Sequence, residues 1–248
     1  MTGTLSIVST PIGNLEDMSF RAIRILKEAS VIAAEDTRRT QKLCTYYQIK
    51  TPLTSYHDFN KEEKTDLLVH RLREGNSVAL VCDAGTPLIS DPGFYLVQRA
   101  IEAHIPLIPI PGPSSILTAL CVSGLPTDRF IFEGFVPRKP GAREKFFLGL
   151  KDESRTIIVF ETQHRIKKTL GVIKNTLGNR HIVMTRELTK LHEEILRGEI
   201  DEIVKILEKK SIKGEITLLI KGLPQRKKGS TEFTDPHSIP HLPSESPL

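Results

Sequence analysis

Between residues 5 and 110, short apolar runs alternate with stretches of helical periodicity. Leu5–Thr10, Val31–Ala34, Ser77–Cys82 and Ile105–Ile110 are strand-sized and predominantly apolar, as expected of strands buried on both faces. Ser19 reads as an N-cap, followed by Phe20, Ile23 and Leu26 on one helical face. Further helices are predicted over Thr37–Tyr47 and from Lys61 to Glu74, where Gly75 stops the chain; a short extended run lies around Leu53–Tyr56. Asp91-Pro92 has the order of an N-cap followed by a first-turn proline, opening a helix that runs to about His104. Strands joined by helices need not reverse direction, so this rhythm predicts a parallel sheet with helices on its faces.

The second half has a different grain. Arg129–Phe135, Thr156–Phe160, His181–Thr185 and Glu215–Ile220 read as strands, and Arg143–Leu150, Ile166–Leu177 and Ile200–Lys209 as helices. Leu125-Pro126-Thr127-Asp128 marks a junction. The division is an α/β domain over 1–122, a second over 123–223, and a flexible tail over 224–248, where Pro, Ser and His replace any apolar period. No internal repeat is evident.

The 248 residues allow one large domain or two small ones, and 39% hydrophobic with 26% charged residues is ordinary for a soluble protein. No apolar run has the length of a membrane span, and the N-terminus lacks the basic start and apolar core of a signal peptide. Cys44, Cys82 and Cys121 are scattered, which disfavours a disulfide framework or zinc site and fits a reducing cytoplasm. The net charge of +5 is unevenly spread: residues 1–133 hold 13 Lys and Arg against 15 Asp and Glu, whereas residues 134–229 hold 22 against 12. A positive field confined to one half suits a polyanionic partner.

Ligands of open parallel sheets bind at the carboxyl ends of the strands. Three loops rich in Gly, Pro, Ser and Thr fall there: Ser9–Asn14, Asp83–Gly93 and Pro111–Ser115. One such loop is an ordinary turn; three at one edge point to a ligand crevice, with Asp83 placed to accept from a hydroxyl or amine. No GxGxxG follows the first strand, and neither GxxxxGK[ST] nor HExxH occurs. A dinucleotide site, a P-loop and a zincin site are therefore disfavoured, and no metal is expected.

Eight stretches resemble the tetrapyrrole methylase superfamily, and within it the methyltransferases that modify the 2′-hydroxyl of a cytidine in small-subunit ribosomal RNA. They are TPIGNLEDMS (10–19), AAEDTRRT (33–40), DAGTPLISDPG (83–93), PGPSS (111–115), SGLPTDRF (123–130), EGFVPRK (133–139), RELTKLHEE (186–194) and KGEITLLI (213–220). Order and spacing hold over residues 4–222. Three positions depart from the family pattern: Cys82 replaces a serine, Thr162-Gln163 replaces Ser-Pro, and His57-Asp58-Phe59-Asn60 replaces a His-Glu-His-Asn run. The resemblance implies a largely parallel N-terminal sheet and a mixed C-terminal one, S-adenosylmethionine in the cleft between them, and a homodimer. It further implies that Pro11, Asp83, Ala84, Gly85, Thr86, Ser114, Ser115 and Ile116 line the cofactor site from the first domain. Phe160, Thr185 and Ile216 would do so from the second.

A ribose hydroxyl is a weak nucleophile, so a general base would help by roughly 10²–10⁴-fold. Glu35, Asp36, Glu133, Glu161 and Glu187 are the candidates, each with an ion pair as its alternative role. Arg138, Lys139, Arg143 and Lys145 form a basic loop suited to phosphate, which Arg165, Lys167, Lys168, Arg186 and Lys190 extend. The partner expected is ribosomal RNA or the small subunit, in the cytoplasm and without a membrane. Two other readings share these features in part: a small-molecule methylase acting on a tetrapyrrole-like ring, and a noncatalytic RNA-binding or ribosome assembly factor.

Overall fold

The structure is a computed structural model and describes residues 2–223; the tail expected over 224–248 lies outside the described residues. The first half builds β1 (Leu5–Val8), β2 (Val31–Ala34), β3 (Leu53–Ser55), β4 (Val78–Val81) and β5 (Leu107–Ile110). Between them run α1 (Phe20–Glu28), α2 (Thr37–Tyr46), α3 (Lys61–Arg73) and α4 (Phe94–Glu102). The strands pair in the order β3-β2-β4-β1-β5, all parallel. Alternate residues of a strand point to opposite faces, and both faces are covered. Val31, Ala33, Val78 and Leu80 meet Leu68 and Leu72 of α3 and Leu96 of α4. Their neighbours Ile32, Ala34, Ala79 and Val81 meet Ala22 and Leu26 of α1 and Leu43 of α2.

The second half contains α5 (Ser115–Cys121), β6 (Phe130–Phe135), α6 (Pro140–Leu148), β7 (Thr156–Thr162), α7 (Ile166–Leu177), β8 (His181–Arg186), β9 (Glu194–Glu199), α8 (Ile200–Glu208) and β10 (Glu215–Ile220). Its sheet runs β6-β7-β10-β8-β9, with β6 and β7 parallel and the remaining pairs antiparallel. One face packs Ile157, Val159, Met184 and Leu218 against Phe147, Leu170, Ile173 and Ile203 of the helices. The opposite face sets Ile158, Val183 and Leu219 against Ile12 of the first half and Ile116, Ala119 and Leu120 of α5. Thus α5 falls within 1–122 by sequence but packs on the second sheet.

Several local expectations are corrected. Strand β1 stops at Val8, because Thr10 leaves the sheet and exchanges two backbone hydrogen bonds with Gly85 (2.8 and 3.0 Å). Ser19 does cap α1, its Oγ accepting from the Ala22 N–H, but Phe20 is 94% exposed; Ala22 and Leu26 face the sheet. Helix α4 starts at Phe94, after Gly93, so Asp91-Pro92 is not its cap. Gly93 has φ +136°, and a Cβ there would lie 2.9 Å from Leu80 Cδ2. It is the left-handed backbone angle that favours glycine at the cap. Helix α6 begins three residues before the predicted Arg143, because Pro140 occupies its first turn, where the missing N–H costs nothing. Strand β9 was not predicted: an edge strand with Glu194, Arg197, Gly198 and Glu199 shows no apolar run.

Candidate functional site

Strands β4, β1 and β5 are neighbours, so the three loops that follow them emerge side by side. Side chains lace them together. Ser9 Oγ lies 3.0 Å from Thr86 Oγ1, Thr10 Oγ1 donates to the Cys82 carbonyl (3.2 Å), and Thr86 Oγ1 donates to the Pro113 carbonyl (3.4 Å). The middle loop holds Gly85 at φ +83°, Leu88 at +75° and Ser90 at +65°. Left-handed backbone at non-glycine residues costs of order 1–3 kcal/mol each and is retained where surrounding contacts over-determine it. The Thr10–Gly85 bridge supplies such a contact at one end of the loop, and the Gly93 approach to Leu80 at the other.

A cavity of about 740 Å³ opens between these loops and the second sheet. From the first half, Ile12, Glu35, Arg39, the 83–86 turn, Ile89-Ser90-Asp91 and Ser114-Ser115-Ile116 line it. From the second come Phe135, Phe160 to His164, Thr185, Leu188 and 214–217. The volume lies within the 300–1,000 Å³ typical of small-molecule sites. Of the cofactor residues expected from sequence, Asp83, Ala84, Gly85, Thr86, Ser114, Ser115, Ile116, Phe160, Thr185 and Ile216 line this cavity together. Pro11 instead lines an adjoining cavity of about 270 Å³ that shares Ile12, Arg39, Asp83, Ala84 and Glu215 with the larger one.

Asp83 joins two motifs. Its Oδ1 accepts from the Asp36 N–H (3.1 Å), its Oδ2 lies 3.1 Å from Arg39 Nη1, and its own N–H donates to Glu35 Oε2 (3.4 Å). Burial raises the Glu35 carboxyl above its ordinary value, and the nearby Asp91 and Asp83 charges raise it further. Asp91 is raised by burial and by Asp83, while a hydrogen bond from the Cys82 thiol opposes the shift. Burial also pushes the Cys82 thiol up, so the sulfur stays protonated beneath the turn.

The other candidate bases have different occupations. Asp36 caps α2 and is gripped by Arg38, whose hydrogen bonds hold it well below the usual carboxylate range. Glu133 is an exposed residue of β6. Glu161 is fully buried and accepts from Thr169 Oγ1 (2.5 Å), Arg165 Nη2 (3.2 Å) and the Thr162 N–H (2.7 Å). Against the upward pull of burial, the Glu215 N–H and Lys190 hold Glu187 below its ordinary value. Glu35 is the member of the set that lines the cavity with no cation bound to its carboxylate among the described residues.

The basic residues divide likewise. Arg138, Lys139, Lys145, Lys167 and Lys168 are exposed. Arg143 corrects the reading of 138–145 as one open phosphate loop: it is buried, and its guanidinium donates to the Pro137 (3.2 Å) and Arg138 (2.9 Å) carbonyls. Arg165 pairs with Glu161, Arg186 with Glu194, and Lys190 with Glu187 and Glu215. Sequence reasoning placed Asp91 in a helix cap, and it missed Arg39, Leu188 and Gln163 as lining residues. Asp91 and Arg39 stand inside the DAGTPLISDPG and AAEDTRRT runs. The packing of AEDT against DAGT is the signal that would have found them, and it is visible only in three dimensions.

Known proteins resemble this chain in sequence and in fold. The family model of the tetrapyrrole (corrin/porphyrin) methylases matches residues 4–204. A ribosomal RNA small subunit methyltransferase I of Halalkalibacterium halodurans is 51% identical over 89% of this chain and 76% of its own length. The protein of the same name from Thermotoga maritima is 45% identical over 89% of this chain and 99% of its own. Among solved structures, uroporphyrin-III-C-methyltransferase from Thermus thermophilus superimposes with a TM-score of 0.62 at 20% identity, covering 88% of this chain and 94% of that one. At that identity the likeness concerns the fold.

Proposed function

The chain belongs to the tetrapyrrole (corrin/porphyrin) methylase family, and from that premise we propose that it transfers a methyl group from S-adenosylmethionine to the 2′-hydroxyl of a cytidine in small-subunit ribosomal RNA. Relatives with that RNA subunit in their names, 45–51% identical over about nine-tenths of the chain, support the substrate class. The cavity fits the cofactor chemically. Ile116, Phe160, Leu188 and Ile216 offer apolar walls, and Asp83 and Thr86 offer polar atoms for a hydroxyl or ammonium group.

Bound S-adenosylmethionine supplies a methyl group on a positively charged sulfur, ready for in-line displacement. The protein's part is orientation, exclusion of water and control of one proton. Asp83 and the 84–86 turn would hold the ligand from the first sheet, and Phe160 and Ile216 would wall it from the second. Glu35 accepts the proton of the ribose hydroxyl at a carboxylate oxygen; its raised affinity for that proton moves it toward the range where a base works near neutral pH. The observation that carries the reading is Glu35 beside Asp83 in the wall of a cavity formed by both sheets.

The test incubates purified protein with labelled S-adenosylmethionine and small subunits lacking the modification, followed by mass spectrometry of the digested RNA. Wild type yields 2′-O-methylcytidine and Asp83→Ala yields little. A methyl group on a base, or none on RNA, overturns the proposal; cofactor binding without RNA transfer directs attention to small tetrapyrrole-like rings. The same reading has the protein working in the cytoplasm as a homodimer, which light scattering at micromolar concentration checks.

A further inference from the structure

The smaller cavity beside the cofactor site has a wall chemistry of its own. Arg39 and Lys42 stand three residues apart on α2, which puts them on one helical face, and both line it. Lys190 reaches it from the chain between β8 and β9. Two carboxylates also line it, Asp83 and Glu215. Both are already engaged: Arg39 lies 3.1 Å from Asp83, and Lys190 lies 3.0 Å from Glu215 and 3.0 Å from Glu187. Lys42 is exposed and enters no ion pair among the described residues, so its charge is the uncompensated one. Arg39 and Asp83 are among the five residues that line both cavities.

In RNA, the 2′-hydroxyl and the 3′-phosphodiester sit on neighbouring carbons of one ribose. An enzyme that presents the hydroxyl to the larger cavity must therefore accommodate an anion about one sugar's width away. We propose that the smaller cavity seats the phosphodiester flanking the methylated ribose, with Lys42 as its cation and Arg39 as the shared wall. This subsite rests on the RNA methyl-transfer reading above. It also assigns RNA contact to a residue of the N-terminal half, outside the strongly basic segment 134–229.

The test compares wild type with Lys42→Ala, Lys42→Arg and, as a distant exposed control on α8, Lys205→Ala. S-adenosylmethionine affinity is read by calorimetry, and kcat/KM for unmodified small subunits is read across salt concentrations. Lys42→Ala is expected to bind the cofactor as wild type does, to lose about tenfold in kcat/KM, and to flatten the log–log salt slope by about one. Lys42→Arg keeps the slope and Lys205→Ala changes neither quantity. An unchanged Lys42→Ala overturns the subsite, and so does an equal loss in Lys205→Ala, which would mean a diffuse field. Wild type that binds cofactor but methylates no RNA overturns the underlying reading, and the subsite with it.

Discussion

The base proposed for methyl transfer is a single side chain, Glu35. Glu35→Gln keeps the shape and removes the proton acceptor, so kcat for methyl transfer should fall by about 10²–10⁴-fold while cofactor affinity stays. Its titration also enters stability. Burial, Asp91 and Asp83 place the folded-state value above 4.5, so this group favours folding fully below about that pH. The contribution vanishes as pH rises through the folded value. A Gln at position 35 does not titrate, so thermal unfolding should show the variant gaining on wild type between pH 4 and pH 8. A Tm difference that stays constant over that window would contradict the assigned environment. Glu161 shows the contrasting use of a carboxylate: buried, it is matched by Arg165, Thr169 and a backbone N–H, and it holds β7 to α7.

Elements explain why some residues resisted sequence reading. The apolar strands of the first sheet were legible because parallel strands buried on both faces leave consecutive Val, Ile, Leu and Ala. Strand β9 was not, since its partner lies on one side and charge occupies the other. Arg143 shows a second limit. Four cations in eight residues suggest an open basic loop, yet the third sits inside a helix whose Pro140 start turns it back onto the chain that precedes it. Arg143→Ala should therefore cost about 2 kcal/mol of stability, from two lost charge-assisted hydrogen bonds. Calorimetric unfolding reads that loss, and the salt slope of RNA binding should match wild type. The loops that line the cavity from the first half were legible for a different reason: they carry small, turn-forming side chains at strand ends, where a parallel sheet places ligands, whereas Phe160, Thr185 and Ile216 lie within strands and came only from the family resemblance. The pairing of Glu35 with Asp83 was not, because 48 positions separate them in the chain.

At the scale of the molecule, the cavity belongs to neither sheet alone. A ligand bridging both should slow hydrogen exchange at Gly85 and at Ile216 together, and at a hundredfold excess over Kd should add about 2.7 kcal/mol of stability. Protection confined to one sheet would show that the second contributes no grip. The same construction governs α5, whose Ile116, Ala119 and Leu120 rest on Leu219 of the last strand. A chain emerging from its first residue onward exposes that apolar helix roughly 100 residues before its cover is made, or about 5–20 s at ordinary synthesis rates. The cavity is thus complete only when β10 arrives, and a nascent or prematurely ended product that stops before β7 carries the Asp83 turn with no opposite wall. Translation itself is the timer: the first half cannot bind its ligand fully until the second has been written.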